Sequence, residues 1–251
     1  MIPDDYFERF TSQKYQNRNP VQRRLIRRFV SHFHALFVAA LPAKKVCEIG
    51  IGQGFLSGYL SERFPETHFL GVDLEGPDLE QLRKNFPRIE THLADAQELS
   101  VLKAHTDIDL VICAEVLEHL PPDTVPGVLA EAARVLKPGG WMVATTPNLA
   151  AWENREMLWR GHSPQQTAAL VIDGTYGHLR LYTMEELVVL FQSAGFLVDR
   201  RVYADQIPVG ISAIRRLLRL LLWPVRRIRP ALRDTCLVRA VRNGTQENAP
   251  A

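Results

Sequence analysis

The stretch that decides the fold is "VCEIGIGQGFLSGYL", Val46 to Leu60. An apolar run carries Glu48, three glycines follow at every second position, and an amphipathic segment begins at Phe55. A glycine-rich turn between a strand and a helix lets a ligand approach the backbone at a helix N-terminus. Gly50, Gly52 and Gly54 spell G-x-G-x-G. A dinucleotide fingerprint, G-x-G-x-x-G, needs its third glycine at position 55, which is Phe55, and a G-x-x-x-x-G-K-[ST] phosphate loop is absent. Glu48, just ahead of the first glycine, suits a cation or an amine and argues against a bare phosphate.

Outward from that loop, strand and helix patterns alternate. "KVCEIG" reads as a strand and "FLSGYLSERF" as a helix; "THFLGVD" is a strand, "LEQLRKNF" a helix and "IETHLAD" a strand. "IDLVICAE" is apolar almost throughout, as a strand buried on both faces must be. "PGVLAEAARVL" is a helix, and "PGGWMVATTPN" a strand introduced by a Pro-Gly-Gly turn. Parallel strands joined by crossover helices make an open, doubly wound α/β sheet, which binds ligands outside the carboxyl ends of its strands. Glu48, Asp73 and Asp95 fall at such ends. Asp73, 23 residues after Gly50, can accept both hydroxyls of a ribose, with Leu74 beside it. Asp95 can accept from an exocyclic adenine amine, with the backbone N–H of Ala96 nearby.

The composition bounds the class. A chain of 251 residues, 46% of them hydrophobic, buries one sizeable core with appendages. Net charge is +2, but residues 205–251 hold nine arginines against Asp205, Asp234 and Glu247, which leaves the rest acidic. Cys47, Cys113 and Cys236 form no C-x-x-C pair, so a disulfide framework and a cysteine zinc site are both excluded. "MIPDDYFERF" lacks the apolar core of a secretory signal. No uncharged run approaches the roughly 20 residues of a membrane-spanning helix. The expectation is a cytoplasmic protein.

"VCEIGIGQG", "GVD", "LADA", "DLVICAEVLEHL" and "VLKPGGWMVATTPN" together resemble, in order and spacing, the successive motifs of class I S-adenosylmethionine-dependent methyltransferases, from about Lys45 to Asn148. The resemblance implies a mostly parallel, seven-stranded Rossmann-like methyltransferase fold. It places Gly50 and Gly52 against the methionine part of S-adenosylmethionine, Asp73 on the ribose and Asp95 on the adenine; Glu48 and Gly54 of the same loop are read as cofactor-binding with them. Ala114 would approach the cofactor by its backbone. A sulfonium methyl is already activated, so transfer needs chiefly alignment and a dry site, plus a base where the acceptor is a hydroxyl.

"AEVLEHL" sets Glu115, Glu118 and His119 at i, i+3 and i+4, on one face if the turn is helical. Two carboxylates and an imidazole can bind Mg²⁺ or another divalent metal. The element resembles the E-x-x-E-H metal site of ubiquinone-pathway O-methyltransferases. Without a metal, Glu115 borders the pocket and His119 packs the turn. The segment "YGHLRLYTMEEL" resembles one that lines the acceptor pocket in small-molecule and glycan-tailoring relatives, and offers His178, Arg180 and Tyr182. His178 is the candidate general base, with an ordinary pKa near neutrality. Small-RNA 2′-O-methyltransferases also carry a Glu-Glu-His set; the second histidine they use is not evident in this sequence.

The expected organisation is an N-terminal helical cap (1–42), a cofactor-binding core (43–148), a lid or acceptor-binding insertion (149–182), the C-terminal part of the sheet with an Arg-rich helix (183–242) and a flexible tail (243–251). Within these, "TMEELVVLFQSAGF" is a helix capped by Thr183 and Glu186 and ended by Gly195, and "LVDRRVY" and "TCLVRAV" are the last strands. The Arg-rich segment 211–229 presents Leu221, Leu222, Val225 and Ile228 on an apolar face and Arg226 among arginines on the rest, with a kink at Pro224. It reads either as a helix covering the core, as a peripheral contact with an anionic membrane surface, or as a binder of an acidic acceptor or partner. The functional expectation is O-methylation of a small molecule, quinone or lipid/glycan precursor. The alternatives are RNA 2′-O-methylation and a non-catalytic cofactor-binding scaffold; nucleic acid is disfavoured because the basic stretch lacks interleaved aromatics.

Overall fold

The apolar runs form strands whose alternate residues enter two separate cores. The computed structural model describes residues 5–9, 27, 30, 43–164, 177–205 and 221–243. Its seven strands are β1 (Lys45–Ile49), β2 (His68–Asp73), β3 (Glu90–Leu93), β4 (Ile108–Ala114), β5 (Leu136–Pro147), β6 (Phe196–Ala204) and β7 (Thr235–Arg242). They lie in one sheet in the order β3-β2-β1-β4-β5-β7-β6. β3 through β5 pair in parallel, and β7 runs antiparallel between β5 and β6. Cys47, Ile49, Leu70, Val72, Val111 and Cys113 pack on one face; Val46, Phe69, Leu110 and Ile112 pack on the other. Burial on both faces is why "IDLVICA" shows no polar alternation beyond Asp109.

The helices are α1 (Phe55–Arg63), α2 (Gly76–Asn85), α3 (Val125–Val135), α4 (Trp152–Trp159), α5 (Met184–Ser193) and α6 (Trp223–Ile228). α1 and α2 cover one face with Leu60, Leu79 and Leu82; α3 and α5 cover the other with Val128, Leu129, Leu187 and Phe191. α5 starts as expected: Thr183 accepts from the Glu186 amide, and the Glu186 carboxylate accepts from the Thr183 amide. Gly195 follows it at φ +83. The Pro-Gly-Gly turn lies inside β5 rather than before it. Pairing jumps from Ile108↔Leu136 to Leu110↔Trp141, so Lys137 to Gly140 bulge out.

Two expectations change. "WENREMLW", read as part of an irregular lid, folds as α4. In α6, Pro224 occupies the first turn, where its missing N–H costs nothing; Leu221 is helical and Leu222 forms a turn, so the helical run breaks just before the proline. The polarity of α6 is also reversed. Arg226 is buried against Asp205 at 2.7 Å and Asp234 at 2.8 Å, while Leu221, Trp223, Val225 and Ile228 face outward. Both carboxylates contact Arg226 through Nη2, and this paired charge holds the side chain inward. Of the expected N-terminal helix, Arg27 and Val30 are helical, and Val30 is buried. The remainder of that helix, lid residues 165–176, residues 206–220 of the Arg-rich segment and tail residues 244–251 lie outside the described residues. The three cysteines are free and buried, and burial pushes the Cys47 thiol up to about 12. No helix among the described residues is long and apolar enough to cross a membrane.

Candidate active site

The carboxyl ends of β1 to β4 meet beside the glycine loop. Backbone N–H groups of Gly50 and Ile51 donate to the Val72 carbonyl at 2.8 and 3.2 Å, which folds the loop over β2. The Gly52 N–H donates to Asp73 Oδ2 at 2.7 Å, and the Glu75 N–H donates to Oδ1 at 2.9 Å. A carboxylate has about four lone-pair sites, so Asp73 keeps capacity for two ribose hydroxyls.

All three loop glycines have positive φ, yet their surroundings differ. A Cβ on Gly50 would lie 2.3 Å from Val116, and one on Gly54 2.7 Å from Leu82. A Cβ on Gly52 would meet only Asp78 Oδ2, at 3.8 Å. Gly50 and Gly54 are therefore demanded by packing, whereas Gly52 faces open space beside Asp73. That open cradle, with a carboxylate on its rim, fits the sugar and methionine parts of S-adenosylmethionine.

Glu48 is turned beneath the loop. It is 4% exposed and accepts from the Ser57 amide at 3.1 Å in the first turn of α1. Burial pushes its carboxyl up to about 7, with the nearby Asp73 charge acting in the same sense and the Ser57 hydrogen bond against it. Asp95 is exposed and accepts from the Gln97 amide at 2.8 Å, while Ala96, the exposed Leu74 and the partly buried Ala114 complete the rim at the strand ends.

Beyond β4 the backbone is strained. Glu115 has φ +58, the one positive-φ residue other than glycine among the described residues. Its N–H donates to the Thr145 carbonyl at 2.9 Å, and its Oε1 accepts from Thr145 Oγ1 at 2.9 Å. Leu117–His119 then form a single 3-10 turn. The Glu118 carbonyl accepts from the N–H groups of Leu179 and Arg180, and His119 Nδ1 lies 3.3 Å from the Gly177 carbonyl. These bonds bring His178 onto His119, ring centroids 5.0 Å apart. Donor atoms of Glu118, His119 and His178 lie within 4.8 Å of one another.

The candidate metal set is thereby rearranged. The sequence reading grouped Glu115 with Glu118 and His119; the fold gathers His178 with that pair and pins Glu115 to Thr145, because the left-handed turn takes Glu115 out of the helical register. His178 also provides a second histidine that linear spacing concealed. Arg180 and Tyr182 are used elsewhere: Arg180 pairs with Glu186 at 2.9 Å and stacks over the buried Tyr182 ring. Thr145 and Asn148 were not singled out from sequence. Asn148 donates to the Ala231 and Arg233 carbonyls at 2.8 Å, tying the end of β5 to the lead-in of β7. The polar "TTPN" ending of an otherwise apolar strand was the available signal.

Residues 46–140 match the family model described as "Methyltransferase domain". The ubiquinone biosynthesis O-methyltransferase of Hydrogenovibrio crunogenus is 27% identical over 196 residues, covering 76% of this chain and 74% of that protein. The enzyme of the same name from Hahella chejuensis is 33% identical over 114 residues, 44% of this chain and 46% of that one. The magnesium protoporphyrin IX methyltransferase of Synechocystis, solved with SAH bound, shares the fold at a TM-score of 0.62 and 16% identity, covering 95% of this chain and 94% of that one. The seven-stranded sheet and the matching methyltransferase-domain model go together, and the chain is an S-adenosylmethionine-dependent methyltransferase. Within that class, the relatives named above that align by sequence are ubiquinone biosynthesis O-methyltransferases.

Proposed function

We propose that this methyltransferase O-methylates a lipophilic small molecule, a quinone-type or lipid/glycan precursor, taken up at a membrane surface. The observation that carries the reading is the set of outward apolar side chains on α4, on α6 and just before α6: Leu158, Trp159, Leu221, Trp223 and Ile228 are each more than half exposed. The two helices meet where Arg226 approaches Glu153 at 3.8 Å, at the same end of the sheet as the cofactor cradle. Arg227 lies over the Trp223 ring at 5.4 Å, which pairs basic charge with an interfacial aromatic. The names of the sequence relatives support the acceptor class.

S-adenosylmethionine supplies an activated methyl on a sulfonium. The chain aligns it through Gly50 and Gly52, Asp73 on the ribose, and Asp95 with the Ala96 amide on the adenine; Glu48 holds the loop from beneath. With the cofactor bound, His178 would take the proton of the acceptor hydroxyl. Glu115, fixed by Thr145, borders the acceptor. If a divalent metal is used, Glu118, His119 and His178 would hold it, the acceptor proton would then go to a base other than His178, and activity would be sensitive to EDTA. The test is methyl transfer from labelled S-adenosylmethionine to a panel of catechols, quinols and polyprenyl lipids. His178→Ala is expected to lower kcat by about 10²-fold or more. Undiminished turnover by that variant contradicts the assignment.

The gathering of His178 with Glu118 and His119 also favours a second reading, RNA 2′-O-methylation, since it supplies the second histidine. Binding of RNA that weakens steeply with added salt would decide for it.

A further inference from the structure

Three of the chain's eight histidines converge on one carboxylate at the end of the sheet opposite the cofactor cradle. His68 opens β2, Glu90 opens β3, His92 lies two residues further along β3, and His105 precedes β4. His92 Nε2 is 2.9 Å from Glu90 Oε1, and His105 Nε2 is 3.3 Å from the same oxygen. His68 Nε2 is 3.0 Å from the other oxygen, Oε2. Donor atoms of Glu90, His92 and His105 all lie within 4.8 Å of one another.

The placement is unusual for this face. Register pairs Glu90 with Leu70 and His92 with Val72, both fully buried core residues. Paired residues share a face, so the apolar row of the sheet ends at its edge strand in an acid and an imidazole. Charged side chains are a common protection for an edge strand. Three imidazoles from three chain segments, all turned by Nε2 toward one carboxylate, exceed that need. All four side chains are partly exposed, so an ion can enter.

We propose that Glu90, His92 and His105 form a binding site for a zinc-class divalent transition metal, with His68 orienting the Glu90 carboxylate from its second oxygen. Two imidazoles and a carboxylate are borderline ligands of the kind zinc takes, and leave a fourth position for water. Zinc takes imidazole nitrogen at about 2.0–2.1 Å, and the three donor atoms already lie within 4.8 Å of one another. A hydrogen-bonded partner on the ligating carboxylate is the usual outer support of such sites. The ion would tie β3 to the lead-in of β4, with β2 joined through His68 and Glu90, and so steady the edge strand that ends two residues before Asp95.

Tag-free protein stripped with EDTA and titrated with Zn²⁺ against a competing chelator tests the proposal. One zinc per chain is expected at this site, with a rise in Tm. His92→Gln/His105→Gln should weaken that binding at least 10-fold, and His68→Gln about 10-fold. Unchanged S-adenosylmethionine binding by these variants serves as the control for folding. No zinc beyond that held by the double variant overturns the proposal. So does zinc that the double variant retains but His119→Gln/His178→Gln loses, which places the ion beside the active site instead.

Discussion

Glu48 couples the cofactor loop to pH. An ordinary carboxyl titrates near 4.3, whereas burial holds Glu48 up at about 7. Between those values the native state binds more protons than the unfolded chain, so stability falls as pH rises through this window and the cost is complete above it. Glu48→Gln removes the titration and keeps a carbonyl for the Ser57 amide. Thermal melts should show the variant more stable than wild type at pH 8, by several degrees at ~1.4 kcal/mol per pH unit displaced, with the gap closing near pH 5. The glycines separate in the same way. Gly54→Ala meets Leu82 and should lower Tm, whereas Gly52→Ala, strained in φ alone, should lower cofactor affinity with a smaller change in Tm. The sequence displays three equivalent glycines; which face is open depends on Val116 and Leu82, both distant in the chain, and no local pattern reports it.

At the scale of elements, α6 inverts its helical wheel. Arg226→Ala leaves Asp205 and Asp234 without their shared cation, and should cost about 3 kcal/mol, roughly 6–12 °C in Tm. The exposed Arg227→Ala, its neighbour, should change Tm little in the same melts. The strands from "KVCEIG" to "TCLVRAV" were legible because burial on both faces leaves continuous apolar runs. The capping box of α5 was legible because its hydrogen bonds are local. The direction of α6 was not, since a run of leucines and arginines is compatible with either face inward until Asp205 and Asp234 arrive from other segments. Glu115 failed for a related reason: helical spacing presumes helical φ, and the turn after β4 supplies a left-handed one.

For the whole molecule, the two ends of the sheet carry different chemistry. The carboxyl ends gather the glycine cradle, Asp73, Asp95 and the Glu118–His119–His178 group, and the outward apolar helices flank that end. Sedimentation with anionic vesicles should therefore carry wild type down, and Trp159→Glu/Ile228→Glu should stay in solution with its Tm preserved. Five motifs in order carry the fold and the cofactor class, because each is a local stretch at the end of a strand. The pairing of His178 with His119 required the fold, because 58 residues separate His119 from its Gly177 contact. The central claim is that the Gly50–Gly54 loop and Asp73 hold S-adenosylmethionine. Calorimetric titration of S-adenosylmethionine into wild type beside Asp73→Ala, with Asp73→Asn to preserve one loop hydrogen bond, tests it most directly. Micromolar binding by wild type, weakened about 10-fold or more in both variants, is the predicted result. No binding by wild type, or equal binding by all three proteins, would contradict it.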